Sequence, residues 1–143
     1  MINVRIKRLH PDAKIPKYQT PGSAGMDLHA IEEVQIPPHD IAHVRTGIAL
    51  QIPPCYEAQV RPRSGLAKIG VTVANSPGTI DSDYRGEVIV LLGNHAATPV
   101  TLLAGDRIAQ IVFATVAQAE LIEVDELFAT SRGEGGFGST GTR

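Results

Sequence analysis

The chain has 143 residues, of which 43% are hydrophobic, so it is long enough for one globular domain with a substantial core and too short for two ordinary domains. Its formal net charge is only −2, which argues against direct nucleic-acid binding, because coating a phosphate backbone needs a basic surplus. A single cysteine, Cys55, excludes an internal disulfide framework and favours a reducing compartment.

The first strand candidate lies at the N-terminus, where Ile2, Val4 and Ile6 alternate with polar residues. This alternation differs from the apolar core of a signal peptide, and the longest unbroken apolar run, residues 88–92, is far too short to span a bilayer. We therefore expect a soluble, cytoplasmic protein with no membrane partner.

Strand signals continue along the chain. Apolar side chains recur at every second position in residues 44–52 and 56–60, which is the period of a half-buried strand. The mostly apolar segments at residues 87–92 and 108–116 predict two fully buried strands. Proline pairs interrupt the chain between strands, and the one helical candidate is a short turn from about Ser64 to Lys68. Together these elements predict an all-β sandwich, barrel or jelly roll, and the scarcity of aromatic residues predicts a core of Val, Ile, Leu and Ala.

The C-terminal segment differs in composition from the rest. From Phe128 to Arg143 glycine is frequent and few residues are apolar, so this segment cannot bury enough surface to order itself. We predict a β-domain over residues 1–127 and a mobile tail over residues 128–143.

Three segments carry residues suited to nucleotide chemistry, and the first is Arg61–Gly65. A guanidinium group can bind phosphate through two hydrogen bonds, and Ser64 at a helix start adds a hydroxyl and backbone donors. A helix cap beside a solvated charge has the same sequence features, so this segment alone does not decide between the two interpretations.

The second segment, Gly78–Glu87, places Asp81 next to a turn that precedes an apolar strand. A carboxylate held at a strand end is well placed to act as a general base. A plain hairpin, in which Asp81 and Asp83 accept hydrogen bonds in the turn, is the alternative.

The third segment, Arg132–Gly141, is rich in glycine but lacks the lysine and the strand-to-helix context of a Walker motif. Its composition is typical of a disordered chain end. However, Arg132 can pair with a phosphate and Phe137 can stack on a base, which is unusual for a tail that only aids solubility.

Other reactive side chains favour structural roles. His39 and His43 are four residues apart, but prolines precede them and an extended segment follows, so we expect surface histidines and not zinc ligands. Cys55 has no obvious histidine partner in the sequence, so we expect a structural thiol.

Five segments, taken in chain order, resemble the five motifs of the trimeric dUTPase family: Ala24–Leu28, Pro62–Ala67, Gly78–Glu87, Gly105–Gln110 and Arg132–Gly141. The resemblance implies a jelly-roll-like β-barrel assembled as a homotrimer, with active sites shared between subunits. It also implies Mg²⁺-dependent hydrolysis of dUTP to dUMP and pyrophosphate, which keeps uracil out of DNA and supplies dUMP for thymidylate synthesis.

The resemblance also implies roles for the nucleoside-binding residues. Asp81 is expected to be the base that deprotonates the attacking water, and Tyr84 is expected to lie under the deoxyribose, where a 2′-hydroxyl would clash. The uracil contacts are expected from one amide side chain and a hairpin backbone, namely Asn75, Gly78, Thr79 and Ile80.

For the triphosphate, the resemblance implies contacts from Arg63, Ser64, Gly65 and Gln110. Asp27 is expected to hold Mg²⁺ through water molecules, and the tail residues Arg132 and Phe137 to close over the γ-phosphate and the base. Asp106 and Arg107 lie in the fourth motif, where a structural ion pair between them is expected.

Two other functions are alternatives. A dCTP deaminase shares the fold, although those chains are usually longer and lack the glycine-rich fifth motif, and it would release ammonia instead of pyrophosphate. A trimeric interaction module is the non-enzyme alternative, but it has no need of Asp81, Tyr84 and the phosphate-binding residues together.

Overall fold

The computed structural model describes residues 1–136 and consists almost entirely of β-strands. The strands are β1 (Arg5–Arg8), β2 (Met26–His29), β3 (Val34–Ile36), β4 (Ile41–Gln51), β5 (Tyr56–Arg61), β6 (Val71–Val73), β7 (Gly78–Ile80), β8 (Glu87–Asn94), β9 (Val100–Leu102) and β10 (Arg107–Thr115). The short helix α1 spans Ser64–Ala67. The all-β prediction is therefore confirmed. No helix within residues 1–136 has the length and apolar character needed to cross a membrane.

The strands form two four-stranded antiparallel sheets and one strand pair. Sheet A has the order β1-β4-β8-β6, sheet B has the order β2-β10-β5-β7, and β3 pairs with β9. Many neighbours in the sheets are far apart in the sequence, as in the jelly-roll-like barrels that the sequence predicts. Within residues 1–136, β7 of sheet B pairs only with β5, so no described strand lies on the other side of the β7 backbone.

The two sheets share one aliphatic core. Val44 and Val90 of sheet A and Ile108 of sheet B have no solvent-exposed surface, and every member of the buried cluster is Ala, Val, Ile or Leu. This composition confirms the expected core. Close packing of such residues makes the barrel a rigid support for the loops between its strands.

The prediction that residues 87–92 form a strand buried on both faces is wrong. In β8 the side chains of Val88, Val90 and Leu92 are buried, but Ile89 is 42% exposed and Leu91 is half-buried. An antiparallel sheet packs one face on the core, so an unbroken apolar run leaves half of its side chains on the other face. The prediction of a second fully buried strand, at residues 108–116, is wrong for the same reason, because the later residues of β10 are only half-buried.

The N-terminal strand is more exposed than its alternation predicts. All four residues of β1 are exposed, because β1 lies at the edge of sheet A and, among the strands that the structure describes, pairs only with β4. Ile6 is among the large apolar side chains left at the surface of a single chain.

The chain after β10 has no regular structure as far as residue 136. Residues 116–136 form no helix or strand, and Leu121 and Phe128 are almost fully exposed, at 93% and 101%. The boundary between domain and tail at residues 127 and 128 stays a prediction.

Strand β4 carries a bulge that depends on a glycine. Its pairing with β8 shifts register between Arg45 and Ala49, and Gly47 within this interval has φ +68°. A Cβ at Gly47 would lie 2.9 Å from the Cβ atoms of both His10 and Ala13. Only glycine fits both the left-handed backbone and the restricted space.

We predict that Gly47→Ala lowers the free energy of unfolding by about 1–3 kcal/mol, because the substitution adds backbone strain and a steric clash. Gly22→Ala is the matched control, since no heavy atom lies within 4 Å of a Cβ built at Gly22. Chemical denaturation at one protein concentration measures both variants. Equal stability of the two variants would contradict the assigned role of Gly47.

Candidate active site

The predicted nucleoside-binding residues lie on β7 and in the turns that precede and follow it. Gly78 and Ile80 are buried, whereas Thr79 between them is exposed, as the two-residue period of a strand requires. Asp81 follows directly after the strand, and its carboxylate is exposed. We call Asn75, Gly78–Asp81 and Tyr84 the hairpin cluster.

Asn75 lies against the start of β7. A Cβ at Gly78 would be 3.2 Å from Asn75 Nδ2 and 3.4 Å from the Cβ of Val60 on the neighbouring strand. The absence of a side chain at Gly78 therefore lets the Asn75 amide approach the backbone of β7. An amide group and strand backbone are thus presented together at the surface.

Tyr84 is held over the turn that leads into β8. Its hydroxyl donates a hydrogen bond to the backbone carbonyl of Glu87 at 3.1 Å. A Cβ at Gly86 would overlap the ring, with Cζ of Tyr84 only 2.5 Å away, so the ring position requires glycine there. Tyr84 is 47% exposed.

Asp81 and Tyr84 face the same pocket. Its volume is about 190 Å³, and its lining residues come from β7, the following turn and β8: Thr79, Ile80, Asp81, Tyr84, Glu87, Val88 and Ile89. The structure therefore brings the predicted base and the predicted sugar platform together.

A second cluster, which we call the arginine cluster, consists of Asp27, Arg63, Arg107 and Gln110. Arg63 Nε lies 2.8 Å from Asp27 Oδ1, and Arg107 Nη1 lies 3.6 Å from Asp27 Oδ2. Arg63 Nη1 also donates a hydrogen bond to the carbonyl of Arg107 at 3.2 Å. One carboxylate thus orients two guanidinium groups, and the exposed parts of these groups are suited to anionic oxygens.

The fourth motif does not form the expected ion pair between Asp106 and Arg107. Asp106 accepts a hydrogen bond from the backbone N–H of Leu103 in the turn before β10, whereas Arg107 pairs with Asp27. Adjacent residues at a strand start point in opposite directions, which separates the two side chains. The Arg107–Asp27 contact is not predictable from the sequence, because it depends on the pairing of β10 with β2.

Gln110 is fixed next to Arg63. Its Nε2 donates a hydrogen bond to the carbonyl of Pro62 at 3.0 Å, and its Oε1 would lie 2.5 Å from a Cβ at Gly25. Ser64 and Gly65 begin α1 and are exposed, and the first N–H groups of a helix have no acceptor within the helix. The predicted phosphate-binding residues are therefore contiguous at this end of sheet B.

The arginine cluster fits a hydrated Mg²⁺ ion better than a direct metal site. Within residues 1–136, no group of three or more His, Cys, Asp or Glu side chains could hold a metal. Mg²⁺ commonly keeps several waters and binds one or two carboxylates together with substrate phosphates. The Asp27 carboxylate has about four lone-pair sites, so it can accept hydrogen bonds from metal-bound water while it also pairs with Arg63.

His29 adds no positive charge to the arginine cluster at neutral pH. It is the register partner of Arg107, and its Nδ1 is buried without a hydrogen-bond partner among the residues that the structure describes. Burial, and next the positive charge of Lys14, lower the pKa of His29 below its usual value. The imidazole is therefore neutral at pH 7.

The tail residues are not brought to either cluster in the described part of the chain. Arg132 is exposed, and its Nε donates a hydrogen bond to the carbonyl of Gly135 at 2.8 Å within the tail itself. Phe137 lies outside the described residues. Their predicted contacts with the nucleotide therefore stay predictions.

Cys55, for which the sequence predicts a structural thiol, lies at the surface. It is exposed and has φ +67° in the turn between β4 and β5, where the two preceding prolines reverse the chain. His39 and His43 are also exposed, in agreement with the prediction of surface histidines.

The two clusters are far apart in a single chain. Asp27 pairs with Gln110, which is opposite Arg61 of β5, whereas Ile80 pairs with Ala58 of β5. Asp27 on β2 and Ile80 on β7 are therefore separated by three spacings between neighbouring strands and by three residues along the strand direction. Together these give a distance of roughly 17 Å. Asp81, which follows Ile80, is therefore too far from Asp27 of its own chain for both to act on one phosphate.

Comparisons with known proteins agree on one family. A family model described as dUTPase matches residues 11–141. The deoxyuridine 5'-triphosphate nucleotidohydrolase of Picosynechococcus sp. is 56% identical over 142 residues, which cover 99% of this chain and 100% of that protein.

The solved structure of the Staphylococcus bacteriophage 80alpha dUTPase with dUPNHPP has a TM-score of 0.91 at 25% identity, and the match covers 99% of both chains. A mutant dUTPase from phage phi11 of S. aureus, described as coordinating a structural Mg(II) ion, has a TM-score of 0.82 at 23% identity and covers 87% of this chain and 98% of that chain.

Proposed function

The chain belongs to the dUTPase family, and we propose that it hydrolyses dUTP to dUMP and pyrophosphate with Mg²⁺. The observation that carries this proposal is the pocket shared by Asp81 and Tyr84 beside the free edge of β7. In the cell this reaction keeps uracil out of DNA and supplies dUMP for thymidylate synthesis.

Uracil is recognised by the edge of β7 and by Asn75. Because β7 has a strand partner on one side only in the described part of the chain, its other side presents backbone donors and acceptors at fixed positions. Such groups distinguish uracil from cytosine, whose hydrogen-bonding pattern differs and would leave them unpaired. A close backbone also excludes the methyl group of thymine by steric contact.

The deoxyribose lies on Tyr84. The hydrogen bond to Glu87 and the contact with Gly86 fix the ring, so it cannot retreat from an additional hydroxyl. A ribonucleotide is therefore rejected at its 2′-oxygen.

Asp81 accepts a proton from the attacking water as the oxygen of that water bonds to the α-phosphorus. The bond between this phosphorus and the bridging oxygen breaks, and pyrophosphate leaves. Asp81 directly follows β7, a strand with buried residues at both ends. The core therefore fixes the backbone of the base before substrate binds. The reaction needs positioning and neutralisation of charge more than covalent catalysis.

The triphosphate is bound by Arg63, Gln110 and the start of α1, where Ser64 and Gly65 present backbone N–H groups. The Asp27–Arg63 ion pair orients the guanidinium group before substrate binds. Asp27 would also hold Mg²⁺ through water, and bound Mg²⁺ would neutralise phosphate charge. The tail residues Arg132 and Phe137 complete the site over the γ-phosphate and the base.

The active enzyme is a homotrimer in which neighbouring subunits contribute to each site. The separation of roughly 17 Å between Asp27 and Ile80 in one chain supports this arrangement, because a second copy can bring an arginine cluster to the hairpin cluster. The exposed apolar side chains of residues 116–128, such as Leu121 and Phe128, support association, because large apolar patches of this kind mark contact surfaces. A cytoplasmic location, and the lack of nucleic-acid and membrane partners, stay predictions from the sequence.

We predict that the purified protein releases pyrophosphate from dUTP in the presence of Mg²⁺ and acts poorly on dTTP, dCTP and UTP. Pyrophosphate and ammonia are measured in parallel for the four nucleotides, with and without Mg²⁺. Ammonia release from dCTP would favour the deaminase alternative. Comparable rates on UTP and dUTP would refute the role of Tyr84.

We predict that Asp81→Asn lowers kcat by about 10²–10⁴-fold, the usual contribution of a general base, and leaves dUTP binding nearly unchanged. Asp83→Asn is the matched control, because Asp83 is an exposed carboxylate in the same turn that does not line the pocket of Asp81 and Tyr84. Single-turnover kinetics and equilibrium binding measure the two effects separately. If Asp81→Asn retains turnover within a few-fold of the wild type, Asp81 is not the base.

A further inference from the structure

Glu87 connects the β4 bulge to the turn that carries Tyr84. Its carboxylate Oε1 accepts a hydrogen bond from the backbone N–H of Gly47 at 2.8 Å. Its Oε2 accepts a hydrogen bond from Arg45 Nε at 3.1 Å, and Arg45 Nη2 lies at the same distance. The carboxylate therefore occupies the interval where the regular pairing of β4 with β8 shifts register.

The backbone of the same residue holds Tyr84. The carbonyl of Glu87 accepts the hydrogen bond from the Tyr84 hydroxyl, whereas the Glu87 side chain is fixed on β4. Gly86, between the two residues, has no side chain that would displace the ring. Any shift of Glu87 at the start of β8 therefore moves the acceptor that fixes Tyr84.

We propose that Glu87 is a positioning residue for Tyr84, and that the Arg45–Glu87 ion pair thereby contributes to the choice of deoxyribose over ribose. The inference rests on the proposed function in one respect, namely that Tyr84 contacts the sugar. Neither Arg45 nor Glu87 has a role in binding or proton transfer in the proposed reaction. Their effect is transmitted through the position of the tyrosine ring.

A purely structural ion pair would have a different signature. The Glu87 side chain is 15% exposed and the Arg45 side chain 44% exposed, so solvent screens the ion pair from the arginine side and limits its contribution to stability. A structural role predicts a small change in stability with the same relative rates on dUTP and UTP. A positioning role predicts a change in that ratio, because a small displacement of a group that contacts substrate has a large effect on rate.

The first test measures kcat/KM for dUTP and for UTP in Glu87→Gln, Arg45→Met and the double variant. We expect the dUTP to UTP ratio to fall about tenfold in each single variant and no further in the double variant, because both substitutions break the same link. Glu33→Gln is the matched control, since Glu33 is an exposed glutamate in the loop before β3. Arg45→Met breaks the pair from its more exposed side and replaces Glu87→Gln if that variant does not fold.

The second test observes Tyr84 without substrate. The chain has three tyrosines and no tryptophan, so labelling with fluorotyrosine gives three ¹⁹F signals, and Tyr84→Phe identifies the one from Tyr84. We expect Glu87→Gln and Arg45→Met to shift or broaden the Tyr84 signal, and Glu33→Gln to leave it unchanged. An unchanged Tyr84 signal in both variants would overturn the positioning role, whatever the kinetics show.

The two tests separate this inference from the proposed function. If the Tyr84 signal moves while the dUTP to UTP ratio stays constant, the contribution to sugar choice is overturned, and the error lies in the assignment of Tyr84 to the sugar. If the wild type hydrolyses no dUTP, the proposed function fails, and the ¹⁹F spectra still decide whether Glu87 positions Tyr84.

Discussion

The antiparallel register of β5 determines where the two halves of the site lie. On one side of β5, Arg61 is opposite Gln110 of β10, and Gln110 is in turn opposite Asp27 of β2. On the other side, Ala58 is opposite Ile80 of β7. A shift of one residue would turn each side chain to the opposite face of the sheet, so the burial of Ala58 and Val60 fixes this arrangement. A single chain therefore presents a hairpin cluster and an arginine cluster that face separate regions, and the proposed trimer brings the clusters of neighbouring chains together.

Glycines allow the close approaches on which both clusters depend. Gly78 admits the amide of Asn75, Gly86 admits the ring of Tyr84, and Gly25 admits the side chain of Gln110. Each of these glycines brings a polar or aromatic side chain against the backbone, which a Cβ would prevent. The small, rigid aliphatic core behind them limits how far the clusters can adjust, so recognition relies on preorganised groups and not on large side-chain movements.

The local features of this protein were predictable from its sequence, and the contacts between distant strands were not. The alternation in residues 44–52 and 56–60 predicted β4 and β5, and the isolated turn after Arg63 predicted α1. The apolar run in β8 predicts a fully buried strand, because the sequence alone does not distinguish a strand buried on both faces from one that is buried on a single face. The exposure of Ile89 follows from the sheet and not from the composition of the strand.

The same limit applies to the candidate site. The motif that contains Asp81 and Tyr84 is contiguous, so its residues were found together and line one pocket. The sequence predicts an ion pair between Arg107 and its neighbour Asp106, whereas the partner of Arg107 is Asp27, 80 positions earlier in the chain. The Arg45–Glu87 pair likewise depends on the register of β4 and β8 and on the bulge at Gly47. Charges that meet across strands become visible only once the pairing is known.

The sharing of each site between chains is tested most directly by mixing two inactive variants. Asp81→Asn and Arg63→Ala chains are refolded together in equal amounts, and native mass spectrometry confirms mixed trimers. Random assembly makes about three quarters of the trimers mixed, and each mixed trimer of cyclic symmetry has one site in three with both residues intact. Shared sites therefore predict the return of roughly one quarter of wild-type activity. If Asp81 and Arg63 of the same chain form each site, no site has both residues, and activity near zero in confirmed mixed trimers would contradict the shared arrangement.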